Sequence, residues 1–286
     1  MRRTCTGIIA VLVGVLLLPA LAAAQSDAPL SPWKYYPEEA RTNAGPGGPA
    51  PVRDLTGTWL GESSGGGVPR LVRPESPPPL TPLGQQLFDQ RIVEGAGVSV
   101  ADTNDPHYRY CDPFGFPRNM NDQIRSMTIT TLPDRTFVLL KFMNIWREIW
   151  MDGRDLPTKF SGRGADVYDP TYNGYSVGYW EDDYTFVVET TGMAAEETWA
   201  TETGYPHSVD AVVTERFHRS SKNDLTVTTT MVDPTLYTRP VEMGEVYFRW
   251  SPRQTFFDFS CVPSSVQRYL EEMADPAGTG NSDAAP

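Results

Sequence analysis

From Met127 onward the chain is a succession of short runs of β-branched and aromatic residues, cut by turn-forming residues every few positions. Runs at 127–131, 137–142, 145–151, 175–180, 185–190, 212–219, 225–232, 246–250 and 255–260 read as strands. Between them lie Pro133-Asp134, Asp152-Gly153, Glu181-Asp182-Asp183, Lys222-Asn223-Asp224 and Ser251-Pro252, which read as turns. Links this tight join antiparallel neighbours, because a parallel pair needs a crossover of about a dozen residues or more. The pattern therefore predicts an all-β fold with minor helices, an antiparallel meander closing into a lipocalin-like barrel. The missing helices exclude an all-parallel α/β fold, and the absence of a fixed-period repeat argues against solenoids and propellers.

The ends of the chain differ from this middle. Met1-Arg2-Arg3, an uncharged apolar run over 7–21 and Ala22-Ala23-Ala24 before Gln25 have the three-part layout of a secretory signal peptide, with cleavage expected after Ala24. The run falls short of the roughly 20 apolar residues of a membrane span, and nothing later is comparably apolar. Cys5 precedes the run, where it cannot carry a lipid anchor. The reading is a periplasmic or secreted protein with a signal peptide over 1–24, a flexible Pro/Gly-rich leader over 25–54, one barrel domain over 55–274 and a polar tail over 275–286.

Inside the domain, residues 55–60 form a short first strand. Thr81 is an expected N-cap for a helix carrying Pro82, Leu83, Leu87 and Phe88 and ending before Gly95. Ser264 or Ser265 is expected to cap a last helix whose Val266, Tyr269, Leu270 and Met273 share one face.

A net charge of −12 argues against nucleic acid and anionic membrane surfaces as partners. Cys111 and Cys261 are the two cysteines that survive processing. In an oxidising compartment an even count favours a disulfide, the alternative being two buried free thiols. Neither has a nearby histidine in sequence or a helix N-terminus to lower its pKa, which weighs against a catalytic cysteine.

Two resemblances follow from particular residues. Gly57-Thr58-Trp59 on a first strand, the meander, Arg249 on a late strand and a helix after the last strands resemble the lipocalin and calycin superfamily. The resemblance implies that Trp59 closes the barrel floor beneath Arg249 while the opposite mouth admits an apolar ligand. Cys111-Asp112-Pro113-x-Gly115-Phe116-Pro117-Arg118, Trp146-Arg147-Glu148-Ile149-Trp150-x-Asp152-Gly153-Arg154, Ser176-Val177-Gly178-x-Trp180-Glu181 and Pro206-His207-Ser208 with Thr214-Glu215-Arg216 are similar to a widespread family of exported bacterial proteins of unassigned activity. That second likeness implies fold and address without implying a reaction.

The segment 145–152 carries the most chemistry. On a strand, Trp146, Glu148, Trp150 and Asp152 share one face, and Ile145, Arg147, Ile149 and Met151 share the other. Either way the barrel encloses a charge, which demands a partner. If the Trp row lines the cavity, Glu148 is a candidate acid or base with a raised pKa beside two rings that clamp a planar substrate. The competing reading is a structural salt bridge from Arg147 to Glu215 or Glu189. His207, followed by Ser208 and Asp210 in a loop, is a candidate oriented base; loop capping is its plainer role.

Tyr168, Tyr172, Tyr175, Tyr179 and Tyr184 crowd the middle of the chain with Trp180; they suit ligand stacking or core packing. Candidate ligand-binding residues are thus Trp146, Arg147, Trp150, Tyr175, Trp180 and Trp199, and candidate catalytic residues are Glu148, Asp152, His207 and Asp210.

No histidine pair has metal-ligand spacing, so no metal site is expected, and no glycine pattern suits a dinucleotide or nucleotide cofactor. Gly61-Glu62-Ser63-Ser64-Gly65 matches a nucleophile elbow, but Gly66-Gly67-Val68-Pro69 follows where a helix would have to start. Ser31 and Lys34 match Ser-x-x-Lys in the leader, with no helix to align them. The leading functional expectation is a module that binds a small, partly apolar or aromatic molecule inside the barrel. A cofactor-independent lyase, isomerase or hydrolase using the four candidate catalytic residues comes next, and an envelope structural protein third.

Overall fold

The computed structural model describes residues 45–61, 78–93, 98, 102–121, 126–160, 166–254 and 260–274. The expected signal peptide, the expected leader up to residue 44, the serine pattern after Gly61, the 255–259 part of the last expected strand and the expected tail from 275 lie outside the described residues.

Among the described residues nine strands close into one barrel in chain order: β1 (Gly57–Gly61), β2 (Ser126–Thr131), β3 (Arg135–Leu140), β4 (Ile145–Trp150), β5 (Tyr175–Trp180), β6 (Thr185–Thr191), β7 (Val212–Arg219), β8 (Asp224–Val232) and β9 (Val241–Trp250). The expected all-β barrel is therefore present. Closure comes from β1 pairing antiparallel with β9, where Trp59 faces Trp250.

One seam departs from the expected meander. β4 and β5 run parallel and meet only at Ile149↔Ser176 and Trp150↔Val177. The chain between them, 151–174, is the long crossover that a parallel pair requires, so Asp152-Gly153 starts a connection rather than making a hairpin. β9 also begins at Val241, ahead of the expected 246, past a register shift at Thr229/Thr230.

Alternation along the strands assigns the inner face. Met127 and Ile129, Val138 and Leu140, Phe186 and Val188, Val213 and Phe217, Leu225 and Val227, and Val246 and Phe248 are all buried in one core. Packing leaves no slack at Gly178, where an added Cβ would come within 2.4 Å of Phe186 and 2.8 Å of Ile149.

The floor is built on Trp59, whose indole N–H donates to the Leu55 carbonyl at 2.9 Å. Trp250 meets it edge to face at 5.2 Å. Gly57, with φ 136°, leaves room for the Trp250 ring, which an added Cβ would strike at 2.0 Å. The guanidinium that covers both rings belongs to Arg219, 4.8 Å from Trp59 and 5.3 Å from Trp250. This corrects the expectation for Arg249, which lies between inward Phe248 and Trp250, points out and pairs with Asp224 at 2.8 Å. Arg219 is held by the carbonyls of Asp54 and Lys222.

The helices are short. α1 (Pro82–Asp89) starts at Thr81, whose hydroxyl accepts from the Gly84 N–H at 3.1 Å, as expected. α2 (Pro106–Tyr110) and α3 (Arg118–Asn121) escape the sequence reading, and every residue of α3 is buried. α3 and the segment before it form a plug: Asn121 Oδ1 accepts from Thr229 of β8, and the Phe116 ring lies 3.9 Å from the Arg147 guanidinium. α4 (Pro263–Tyr269) has Val262 at its N-cap, with no side-chain cap from Ser264 or Ser265. Leu270 is buried, whereas Tyr269 and Met273 are exposed, so the expected apolar face packs through only part of its length.

Cys111 and Cys261 form the disulfide, joining the C-cap of α2 to the start of α4 across a sequence separation of 150. A cross-link closing so long a loop removes much unfolded-chain entropy. Replacing both cysteines by serine is expected to lower unfolding free energy by about 4 kcal/mol in urea denaturation. An unchanged midpoint would show that the bond does not constrain the chain.

Candidate functional site

On β4 the aliphatic row with the guanidinium is the inner one. Arg147 and Glu215 face each other across the interior, their side chains 1% and 0% exposed, with paired contacts of 3.1 and 2.8 Å. Arg147 also donates to Ser176 and Thr190 at 3.4 and 3.3 Å, and these two hydroxyls bond each other at 2.8 Å. The charge enclosed by the barrel is thus met by a carboxylate, two hydroxyls and the face of Phe116. With this network, the aromatic core and the plug, side chains occupy the barrel interior.

The opposite face of β4 is the outer wall. Glu148 pairs with Arg135 at 2.6 Å, and Trp150 is stacked between Arg135 at 3.8 Å and Arg154 at 3.5 Å. Trp146 is 60% exposed. Asp152 bonds to Arg154, whose guanidinium holds the Asp152 carboxyl below the usual carboxylate range. Asp210 is exposed. The structure does not bring these three carboxylates to His207, and Trp146 and Trp150 line no cavity in the barrel.

Tyr175 packs on Tyr168 and Phe160, with its hydroxyl donating to Asp169 O, and Trp180 leans on Phe186 in the core. Of the expected site residues, His207 and Trp199 share a cavity.

That cavity, of about 990 Å³, lies outside the barrel lumen. All its lining residues come from segments that connect or precede strands, and none from the nine strands themselves. α1 and the residue after it supply Leu83, Leu87 and Gln90, the 151–174 crossover supplies Phe160 and Tyr172, the 192–211 connection supplies Trp199 and His207, and the β8–β9 connection supplies Leu236.

These segments are fixed by one another. Thr81 N–H donates to Leu236 O at 2.9 Å, and an added Cβ at Gly84 would come within 2.2 Å of that carbonyl, so α1 lies against the β8–β9 connection. Asp233 accepts from Ser208 N–H at 2.7 Å and from the Ser208 hydroxyl at 3.0 Å. Tyr237 donates its hydroxyl to Pro206 O at 2.7 Å.

His207 and Arg91 line the inner part of this space. His207 is fully enclosed: its Nε2 is 2.8 Å from Thr198 Oγ1 and its Nδ1 is 3.3 Å from Ser208 O. Burial pulls its pKa down to about 4, so the imidazole is neutral at pH 7. Arg91 donates through one terminal nitrogen to the carbonyls of Gly204 and Tyr205, at 3.0 and 2.8 Å. Its guanidinium lies 5.1 Å from the Trp199 ring. Burial lowers its pKa to about 10, which leaves it a cation at neutral pH.

Sequence reasoning missed Arg91, Leu83, Leu87 and Asp233, and named Tyr172 only within a group of tyrosines suited to stacking or packing. Leu83 and Leu87 were legible only as a helix face, and nothing adjacent to Arg91 in sequence marks it. Among the described residues no group of three His, Cys, Asp or Glu is placed to hold a metal ion, and no helix is long and apolar enough to cross a membrane.

The two faces of β4 separate in stability. Glu215→Gln strands a buried guanidinium and is expected to cost about 3–5 kcal/mol. Glu148→Gln breaks a half-exposed pair and is expected to cost about 1 kcal/mol or less. Equal losses in chemical denaturation would refute the inside-outside assignment. A second expectation concerns pH. Because the folded state holds His207 at about 4, against 6.5 for an ordinary histidine, the unfolded chain takes up its proton first on acidification. Stability is complete above pH 6.5 and declines as pH falls toward 4, by on the order of 3 kcal/mol. His207→Gln is expected to flatten this part of the profile of Tm against pH; a profile identical to wild type would count against it.

Compared with protein-family models and with curated proteins, the chain matches none.

Proposed function

We propose that the chain is an exported protein that binds a small, partly apolar molecule, and that its site is the cleft at the end of the barrel rather than the lumen. The observation that carries this reading is the cleft itself. Its volume, about 990 Å³, falls at the upper end of the range of small-molecule sites. Its walls combine Leu83, Leu87, Phe160, Tyr172, Trp199 and Leu236 with a few polar groups, the mixture that gives such sites both affinity and orientation.

Preorganisation supports the same reading. Asp233, Tyr237 and Arg91 bond to the 192–211 connection on both sides of His207, so ligand binding need not order that loop. The disulfide and the signal-peptide layout of the first 24 residues support export. Glu148 and Asp152 are paired outside the barrel with Arg135 and Arg154, and Asp210 is exposed, whereas His207 is buried at the cleft, which does not favour catalysis by the four together.

N-phenyl-1-naphthylamine, a neutral apolar dye that brightens away from water, tests the site. Saturable binding is expected, and Ala195→Trp, which places a large ring in the cleft, is expected to weaken it at least tenfold. Leu83→Glu changes the partly exposed rim without disturbing the core and is expected to weaken it too. Absence of saturable binding, or binding indifferent to both substitutions in folded protein, would refute the proposal.

A further inference from the structure

The cleft contains a charge that the protein does not neutralise. Arg91 makes both its hydrogen bonds through one terminal nitrogen, to backbone carbonyls, leaving Nε and the other terminal nitrogen without a partner among the described residues. No ion pair joins Arg91 to a described carboxylate.

The neighbouring carboxylates are committed elsewhere. Asp105 pairs with Arg118 at 2.7 Å, and both side chains are buried. Arg118, behind the wall, lies 5.8 Å from the Trp199 ring that Arg91 also approaches, so two guanidinium groups flank that ring with Asp105 already paired to one of them. Asp233 is occupied by N–H and O–H donors from Ser208, Thr235 and Leu236. Glu196 and Glu197 also line the cavity, but they are exposed to water and make no contact with Arg91. His207 contributes no negative charge. The inner wall therefore presents a fixed cation, with donors to spare, beside flat apolar surfaces.

We infer that the ligand of this cleft carries a single anionic group, a carboxylate or sulfonate in type, that pairs with the Arg91 guanidinium while its apolar body fills the space lined by Leu83, Leu87, Tyr172 and Leu236. This inference rests on the cleft being the binding site and adds the charge class of what binds there. A planar fork of donors suits a two-oxygen anion, and the backbone bonds that hold the other nitrogen fix its direction beforehand. A partly buried charge without a counter-ion is unfavourable, so a ligand anion relieves a strain that a neutral ligand leaves in place.

A pair of dyes separates the charge from the apolar body. 8-Anilinonaphthalene-1-sulfonate is N-phenyl-1-naphthylamine carrying one sulfonate. Wild-type protein is expected to bind the sulfonate at least tenfold more tightly than the neutral dye. Arg91→Gln is expected to remove that preference, leaving the affinities of the two dyes within about twofold of each other, and Arg91→Lys is expected to restore part of it. Displacement of the sulfonate dye by 2-naphthoate, and not by 2-naphthalenemethanol, is expected to extend the result to carboxylates.

If both dyes bind the wild type equally and Ala195→Trp weakens both, the cleft is the site and the anion inference is overturned. If the sulfonate binds more tightly but Ala195→Trp leaves it unaffected, the anion lies elsewhere and the inference is likewise overturned. If neither dye binds saturably, the binding reading and this inference fall together. Should Arg91→Gln fail to fold, as near-ultraviolet circular dichroism would reveal, the wild-type preference, its loss in Ala195→Trp and the naphthoate competition still decide.

Discussion

The barrel is joined most weakly between β4 and β5, and the buried Arg147–Glu215 pair lies across that joint. Elsewhere neighbouring strands share runs of backbone hydrogen bonds, but here only two register positions meet. Arg147 leaves β4 and bonds to Ser176 on β5, Thr190 on β6 and Glu215 on β7, spanning the seam with side chains where the backbone ladder is short. Buried ion pairs usually gain little net free energy over apolar packing, because desolvation offsets attraction. What this pair supplies is specificity: β4 cannot slip by one residue without turning a guanidinium outward and the large Trp146 ring inward.

That pair also fills the lumen, which is why the proposed site lies elsewhere. A guanidinium, a carboxylate, two hydroxyls and the Phe116 ring occupy the middle of the lumen, and the plug that carries Phe116 and Asn121 closes one end while Trp59, Trp250 and Arg219 close the other. The cleft lies where connections rather than strands meet. The 151–174 crossover, forced by the parallel seam, contributes Phe160 and Tyr172 to the cleft wall, so the irregularity that weakens the sheet helps to build the cavity.

Much of the fold was legible because strand alternation and turn residues are local signals. The faces of β4 were legible only as a pair of alternatives. Arg147 and Glu148 each require a partner, and Glu215 and Arg135 lie far from them in sequence or on another strand. Tryptophan on the outer wall misleads for a physical reason: stacked between Arg135 and Arg154, Trp150 is stabilised by cation–π contact without being in a core. The covering arginine could have been chosen by parity, since Arg249 alternates with Phe248 and Trp250 while Arg219 shares the face of Phe217. α2 and α3 could not have been found this way. Helices of five and four residues have no period to detect, and α3 buries arginine and two asparagines, which composition assigns to the surface. The cleft was equally hidden, for its walls come from five separate segments with no common motif.

An acidic chain with one cation on the inner wall of a cleft raises an electrostatic question that distance answers. The net charge of −12 repels an approaching anion, but at physiological ionic strength the field of exposed carboxylates fades over about 8 Å. Arg91 acts at contact from a partly buried position, where attraction is screened less. The surface charge therefore bears on how fast an anion arrives, and Arg91 on how long it stays. Exposed Glu196 and Glu197 at the same cavity belong to the first class, and their repulsion weakens with added salt while the contact at Arg91 persists. A net acidic surface is thus compatible with a small anion held at one internal cation.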